Sequence, residues 1–227
     1  MLTSAVNHYF CSSIGRKQLV AVTGLLLCGF LVSHLIGNLL LLAGPDAFNL
    51  YAYKLTSLGP VLYVVEAGLA GVFIVHLGLA IKLNVENLKA RGGSKRYHLK
   101  KDTGRGTTFM SKTMPWTGLV LLVFLILHLI NLKFGSHYEV EIGGVVMRNM
   151  YKTTMEYFQS PVNVAWYVFA MACAAIHTAH GFASAFQSMG WNHGKYFKNV
   201  KRLGYLYAIS VGGGFAFLSV WAYMKGV

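Results

Sequence analysis

The stretch QLVAVTGLLLCGFLVSHLIGNLLLLA, residues 18–43, decides the fold because it contains no charged side chain. A helix needs about 20 predominantly apolar residues to cross the hydrocarbon core of a bilayer. Four further apolar stretches of that length follow, at 60–83, 115–134, 161–189 and 203–223, three of them opening with a proline. Because backbone groups in lipid must bond within their own segment, each stretch is predicted to be a helix. We therefore expect an all-α fold, an integral membrane bundle of five transmembrane helices that forms one domain over 1–227.

The composition excludes an ordinary soluble domain. Hydrophobic residues make up 55% of the 227 residues and charged residues only 12%, whereas soluble domains contain about 25% charged residues. The net charge of +13 is interpreted as a signal for topology and for contact with acidic headgroups. We expect no nucleic-acid partner, because the basic residues form no platform interleaved with aromatic residues. The three cysteines have no metal-ligand spacing and predict no disulfide framework.

The basic residues predict the orientation of the bundle. Fifteen of the twenty lysines and arginines fall on one side, many of them in the loop KARGGSKRYHLKKDTGRG at 89–106. That side is predicted to be cytoplasmic, which places the N-terminus in the cytoplasm and the C-terminus outside. The two outer loops, at 45–59 and 144–158, mix aromatic and charged residues at roughly helical spacing, so each is predicted to form a short interfacial helix. We find no internal repeat.

Five of the nine histidines lie within the predicted spans: His34, His76, His128, His177 and His180. At about 1.5 Å per helical residue, His34 and His128 lie about 25 and 20 Å from the inner face. His76 and His177 both lie about 24 Å from the outer face by the same count. The sequence therefore predicts two histidine pairs at two levels, with His34 and His128 nearer the outer face and His76 and His177 nearer the inner face.

Paired histidines at matched depths are typical of haem sites, because neutral imidazole is an axial ligand of haem iron. Two such sites, one near each face, would form an electron path across the bilayer. Glycines at 37, 78 and 181 share a face with the histidines and would leave room for a flat ring, although small residues also favour plain helix packing. His180 lies about 4.5 Å closer to the inner face than His177. We expect His177 to be the ligand and His180 to lie near a propionate or water, with the reverse assignment left open.

Three segments carry a resemblance to a known family: SSIGRKQLVAVTGLLLCGFLVSHLIGNLLL (12–41), DAFNLYAYKL (46–55) and HTAHGFASAFQSMGW (177–191). They resemble the membrane cytochrome b subunit of succinate:quinone oxidoreductases, in the type that has one five-helix anchor and two haems b. The resemblance implies that His34 and His128 are axial ligands of an outer haem, and that His76 and His177 are those of an inner haem. Gly181, four residues after His177, matches the glycine that follows the fourth ligand in that family.

The resemblance also implies partners and a location. A flavoprotein subunit with covalently bound FAD would carry the succinate or fumarate active site, and an iron–sulfur subunit would link it to this chain. This chain would anchor both in the bacterial cytoplasmic (inner) membrane as a multi-pass subunit and exchange electrons with a quinone, expected to be menaquinone. The basic loops would dock the partner subunits, contact headgroups, or both. A dimer or higher oligomer of the complex is compatible with the sequence.

Two acidic positions bear on proton handling. Glu66 is the only acid predicted within a span away from its inner end, and an intramembrane carboxyl is a functional hypothesis by default. It would accept a proton at the quinone site, or alternatively bond to a loop or a neighbouring helix. Some diheme members of the family carry a glutamate two residues before the fourth ligand, where this chain has Ala175. A compensating proton route of that kind is therefore not expected here.

Two other classes of protein share some of these features. A cytochrome b subunit of another quinone-linked oxidoreductase, of the hydrogenase or formate dehydrogenase type, would also place two haems among helices. A transporter with buried histidines would bind no haem and would usually contain broken helices or internal repeats.

Overall fold

The computed structural model describes residues 12–90 and 109–226 and is largely helical. Its helices, in chain order, are α1 (Ser13–Leu39), α2 (Pro45–Thr56), α3 (Pro60–Ala90), α4 (Phe109–His128), α5 (Met150–Tyr157), α6 (Pro161–Ser188) and α7 (Gly194–Lys225). A 3₁₀ turn, Leu40–Ala43, extends α1, and a π turn, Leu129–Lys133, extends α4. Two strands, β1 (Glu139–Ile142) and β2 (Val145–Arg148), lie between that π turn and α5.

Five of these helices, α1, α3, α4, α6 and α7, are long and apolar enough to cross a membrane. The prediction of a five-helix membrane protein is confirmed in this respect. The helix ends differ from the prediction at several places. Helix α1 begins at Ser13 rather than at 18, and α3 ends at Ala90 rather than at 83. Helix α7 begins at Gly194 rather than at 203, with the His193 ring accepting a hydrogen bond from the Lys195 amide. Helix α4 begins at Phe109, so that Pro115 lies inside the helix rather than at its start.

The long helices alternate in direction, and the short elements that the structure describes lie at one end of the bundle. We call this the hairpin end, because it contains β1 and β2 together with α2 and α5. Helices α1, α4 and α7 end there, and α3 and α6 begin there. At the opposite end, Arg16 of α1 forms an ion pair with Glu86 of α3.

The prediction of an all-α fold is wrong at residues 139–148, which form a two-stranded antiparallel hairpin. Glu139 pairs with Arg148 and Ile142 pairs with Val145, so only Gly143 and Gly144 remain in the turn. Both glycines have positive φ, 61° and 79°, as a tight hairpin turn requires. The predicted short helix at 144–158 is therefore confirmed only for α5, whereas the one predicted at 45–59 is confirmed as α2.

Helix α6 lies at the centre of the bundle and packs against α1, α4 and α7, while α3 packs against α1. Small residues allow α7 to approach α6 closely. A Cβ placed on Gly212 would lie 3.0 Å from the Met171 carbonyl oxygen and 3.0 Å from the Ala175 Cβ. This close contact of small residues is how helices pack in lipid, where no hydrophobic force drives them together.

The hairpin end contains the main apolar core and a buried amide link. Leu41, Phe48, Met155, Phe158 and Tyr167 belong to one buried cluster there.

Asn49 of α2, only 1% exposed, donates a hydrogen bond of 3.1 Å to the Asn149 side chain and accepts one of 2.9 Å from the Tyr151 amide. Its polar groups are thus satisfied, and α2 is joined to the start of α5. The short elements consequently fix the ends of the helices that carry the histidines.

Candidate functional site

His34 of α1 and His128 of α4 lie together in the half of the bundle nearer the hairpin end. Their ring centroids are 5.8 Å apart, with the ring planes at 85°. Phe30 stacks on His34 and Phe124 stacks on His128. The two rings are thus neighbours and face a common space between α1 and α4.

His76 of α3 and His177 of α6 form the second pair, nearer the opposite end. His177 lies in the neighbourhood of His76 and of His180. The structure thus brings the four predicted ligands together in the same two pairs that the depth count gave. Whether they bind haem remains a prediction.

In the His34–His128 pair, each Nδ1 atom faces a polar side chain. The Nδ1 atom of His128 is 3.0 Å from the hydroxyl oxygen of Tyr167, which is 6% exposed. The Nδ1 atom of His34 is 3.4 Å from the Asn38 amide nitrogen, and that amide also donates to the His34 carbonyl at 2.8 Å. The ring of Tyr167 in turn packs against the ring of Tyr157, with the centroids 5.6 Å apart. Sequence reasoning missed Tyr167, because it lies on a different helix from His128.

In the His76–His177 pair, each Nδ1 atom faces a threonine hydroxyl. The Nδ1 atom of His76 is 3.1 Å from Thr23 Oγ1 and 3.2 Å from the Val20 carbonyl oxygen. The Nδ1 atom of His177 is 3.0 Å from Thr117 Oγ1. Sequence reasoning missed both threonines.

The donor set of both pairs fits haem iron. A metal-bound histidine almost always bonds through its second ring nitrogen to a nearby polar group, and this fixes its orientation. The Nδ1 atoms of His76, His128 and His177 each face a hydroxyl oxygen that can accept their proton, whereas the Asn38 amide nitrogen beside His34 Nδ1 only donates. None of the four Nε2 atoms bonds to another residue in the described ranges 12–90 and 109–226. Each ring is also only half-buried. The four Nε2 atoms therefore carry no competing hydrogen bond from the described residues.

His180 differs from the four paired histidines. It lies three residues after His177 on α6 and is half-buried. Its ring makes no hydrogen bond to the other residues that the structure describes, although it interacts electrostatically with His177. The absence of an orienting partner favours His177 over His180 as a ligand, in agreement with the sequence-based assignment.

The glycines near the histidines have different surroundings. A Cβ on Gly37 would collide with the Tyr51 ring of α2, so the space beside Gly37 is filled by a tyrosine rather than left for a cofactor. Gly78 and Gly181 face open space, with no atom within 4 Å of a Cβ. Two glycines not singled out from the sequence contact the histidines instead. A Cβ on Gly24 would lie 3.1 Å from His76 Cε1, and one on Gly118 would lie 3.5 Å from His177 Cε1.

Two carboxylates lie toward the hairpin end, near the His34–His128 pair. Glu66 of α3 forms an ion pair of 2.5 Å with Lys133 in the π turn, and both side chains are about 40% exposed. Glu156 of α5 helps to line a cavity of about 280 Å³, together with Asn131, Gly135, Ser136, Thr153 and Tyr157. A hydrogen bond to Glu156 raises the pKa of the Tyr138 phenol above its ordinary value.

Several sequence-based expectations lie partly or wholly outside the described residues. Most of the basic loop proposed to dock partner subunits falls in 91–108, and Cys11 also falls outside. Cys28 and Cys173 are free thiols. Within 12–90 and 109–226, no group of three or more His, Cys, Asp or Glu residues is arranged to hold a metal ion. Two axial ligands suffice for haem iron, so this observation does not bear on the histidine pairs.

Comparison of the chain with models of protein families, with curated proteins and with solved structures finds no match. The structure and the geometry of the histidine pairs therefore define the class of protein. It is a multi-pass helical membrane protein with two pairs of histidines between its helices.

Proposed function

We propose that the chain is the diheme cytochrome b membrane subunit of a succinate dehydrogenase or fumarate reductase complex. It would anchor a flavoprotein and an iron–sulfur subunit, which carry the succinate or fumarate active site, and pass electrons between them and membrane quinone. The observation that carries the proposal is the arrangement of four histidines in two pairs, with three Nδ1 atoms beside a hydroxyl acceptor and no Nε2 atom bonded to another described residue.

His34, His128, His76 and His177 would hold two haems b through their Nε2 atoms. Haem iron held in this way supplies one-electron transfer at each of two depths. The polar partners of the Nδ1 atoms orient the rings, and the stacked Phe30 and Phe124 restrict their rotation and exclude water. The two pairs lie at different depths between helices that cross the bilayer, so they would provide an electron path from one face toward the other.

The first test is a dithionite-reduced minus oxidised spectrum of the purified chain, with haem quantified per polypeptide. We expect about two haems b per chain, and a loss of about one in each of H34A, H76A, H128A and H177A. The matched control is H180A, in which both haems should remain. A folded wild-type chain without haem would refute the proposal and favour the transporter class.

The identity of the complex depends on its partners. A copurifying flavoprotein with succinate dehydrogenase activity supports the proposal. A copurifying hydrogenase or formate dehydrogenase would instead identify the alternative cytochrome b class, which the histidine pairs fit equally well. Under the proposal, the end of the bundle opposite the hairpin end faces the cytoplasm of a bacterium. A reporter enzyme that is active only in the cytoplasm should then be active when fused to the N-terminus. A reporter that is active only outside the cytoplasm should be inactive at the same position.

Quinone, proposed to be menaquinone, would exchange electrons near the His34–His128 pair, with Glu66 as the candidate proton acceptor. Its carboxylate forms an ion pair with Lys133 in the π turn at the hairpin end. The test compares quinone-linked turnover in E66Q and E156Q, at equal haem content and with a dye as the alternative electron acceptor. Loss in E66Q alone supports the assignment, and loss in E156Q alone moves the proton acceptor to the cavity of α5.

Ala175 bears on whether turnover is electrogenic. It occupies the position of the family's proposed proton-carrying glutamate, and its Cβ contacts α7 at Gly212. We propose that electrons cross the membrane without protons moving in compensation. Proteoliposomes that oxidise succinate with a menaquinone analogue should then develop or consume a membrane potential. Strictly electroneutral turnover would contradict this proposal.

A further inference from the structure

A Thr-Gly dipeptide occurs at the same relative position in α1 and α4. Thr23-Gly24 precedes His34 by eleven residues, counted from the threonine, and Thr117-Gly118 precedes His128 by eleven. Eleven residues correspond to about three helical turns, so the dipeptide and the histidine share a face and lie about 16 Å apart along the axis. Contrary to the expectation from sequence, these two helices therefore contain a short internal repeat.

Each Thr-Gly dipeptide contacts the histidine pair that its own helix does not supply. Thr23 and Gly24 contact His76, while Thr117 and Gly118 contact His177. Helices α1 and α4 thus each provide a histidine for one pair and a threonine contact for the other. The two dipeptides contact histidines of different helices, since Thr23 contacts His76 of α3 and Thr117 contacts His177 of α6.

The direction of the hydrogen bond between each threonine and its histidine follows from which atom has a proton to donate. A threonine hydroxyl has one proton. The Thr23 hydroxyl is 2.7 Å from the Leu19 carbonyl oxygen and the Thr117 hydroxyl is 3.1 Å from the Thr113 carbonyl oxygen, each four residues earlier. A helical threonine commonly donates to that carbonyl, which leaves its oxygen as the acceptor for the histidine.

The Val20 carbonyl supports this direction independently. Its oxygen lies 3.2 Å from the Nδ1 atom of His76. A carbonyl oxygen only accepts, so Nδ1 must carry the proton, and Nε2 is then the unprotonated nitrogen that can bind a metal ion. Among the described residues, His177 has Thr117 alone in this role.

We propose that Thr23 and Thr117 are positioning residues that hold His76 and His177 as Nδ1-protonated tautomers with Nε2 free to bind iron. The inference rests on the proposed function, since the iron is the haem iron proposed above. A hydrogen bond from Nδ1 raises the basicity of the ligand nitrogen, and this stabilises the oxidised metal. Removing the acceptor should therefore raise the midpoint potential at the His76–His177 pair and leave the His34–His128 pair unchanged.

The test is a redox titration of the full chain in its complex, in wild type, T117A, T117S and T113A. We expect T117A to shift the oxidised-to-reduced ratio at the His76–His177 pair by about threefold to tenfold, where tenfold corresponds to about 59 mV for a one-electron couple. T117S, which keeps the hydroxyl, should restore the wild-type value. T113A is the matched control, because Thr113 lies one turn away and its hydroxyl bonds only to backbone carbonyls.

T23A adds a graded expectation. The Val20 carbonyl still accepts from His76 in that variant, so its shift should be smaller than that of T117A. An H34A background, which lacks the other haem, assigns each potential to its pair. Equal potentials in wild type and T117A at full haem content would overturn the inference while leaving the proposed function intact. A wild-type chain without haem would overturn the proposed function itself.

Discussion

Three consecutive glycines of α7, Gly212, Gly213 and Gly214, have three different surroundings, so replacing each by alanine tests the packing of the bundle. A Cβ on Gly212 would lie 3.0 Å from the Met171 carbonyl oxygen of α6. A Cβ on Gly213 would have no atom within 4 Å, and one on Gly214 would lie 2.9 Å from a methyl group of Leu35 on α1. The residue type, the helix and the substitution are the same in all three variants.

The magnitudes follow from two opposing effects. Alanine is favoured over glycine in a helix interior by about 0.8–1.0 kcal/mol, and G213A should gain up to that amount. Extra atoms in a well-packed contact cost about 1–3 kcal/mol. In G212A the neighbouring backbone carbonyl cannot rotate away, so we expect a net loss of up to about 2 kcal/mol. In G214A the Leu35 side chain can change rotamer, so the two effects should nearly cancel.

Thermal unfolding of the detergent-purified protein, followed by tryptophan fluorescence, measures the order of stability. We expect G213A to be the most stable variant, G214A to be close to wild type, and G212A to be the least stable. Because α6 carries His177, G212A should also bind less haem than G213A if the proposed function is correct. Equal stability of G212A and G213A would refute the α6–α7 contact as described.

Three further predictions concern residues around the histidine pairs. Y167F keeps the ring packing but leaves the His128 Nδ1 without its partner. It should cost about 1–3 kcal/mol of stability. A redox titration should show a raised midpoint potential at the His34–His128 pair alone. R148M removes a guanidinium that donates to the carbonyl oxygens of Leu132, Lys133, Gly135 and Ser136. Thermal unfolding should show a loss of stability of about 2–3 kcal/mol. The control is K152M, whose ion pair is exposed and which should lose less than about 1 kcal/mol. E66Q breaks the ion pair with Lys133 but should cost less than about 1 kcal/mol of stability, because both groups are partly exposed. A large loss of quinone-linked turnover at an unchanged melting temperature would therefore show a functional role for Glu66.

The long helices and the two histidine pairs could be predicted from sequence because each depends on one simple count. Apolar length identifies a membrane-spanning helix regardless of its neighbours. Depth along a straight helix places a histidine at one of two levels, and this was enough to group His34 with His128 and His76 with His177. Both counts use the helical rise alone and need no knowledge of which helices are in contact.

The hairpin was missed although its signal was present. The segment EVEIGGVVMR places Gly143 and Gly144 between two runs rich in β-branched residues, which is a strong short-range indication of a tight hairpin. The helical interpretation of residues 144–158 took the aromatic and charged residues of α5 and extended their spacing backward through Val145–Arg148. The error arose because one periodicity was applied across a boundary at Asn149, whose side chain caps α5.

The partners of the histidines were missed for a different reason. A threonine in an apolar helix satisfies its hydroxyl on its own backbone, so Thr23 and Thr117 show nothing unusual when each helix is examined alone. Their contacts with His76 and His177 depend on which helices are neighbours, and the sequence does not state this. The repeated spacing of Thr-Gly and histidine in α1 and α4 was the one signal that comparison of the two spans would have revealed.

Helix α6 shows how packing and chemistry are divided between the faces of one helix. His177 faces α4, where Thr117 bonds to it, whereas Ala175 faces α7, where it contacts Gly212. Positions two apart on a helix point in directions about 200° different, so a side chain at 175 cannot share the site of the ligand at 177. A glutamate at 175 would have to displace α7 before it could carry protons. The close contact with α7 therefore requires a small residue at this position, and it is this requirement that makes electrogenic turnover the expected behaviour of the proposed cytochrome.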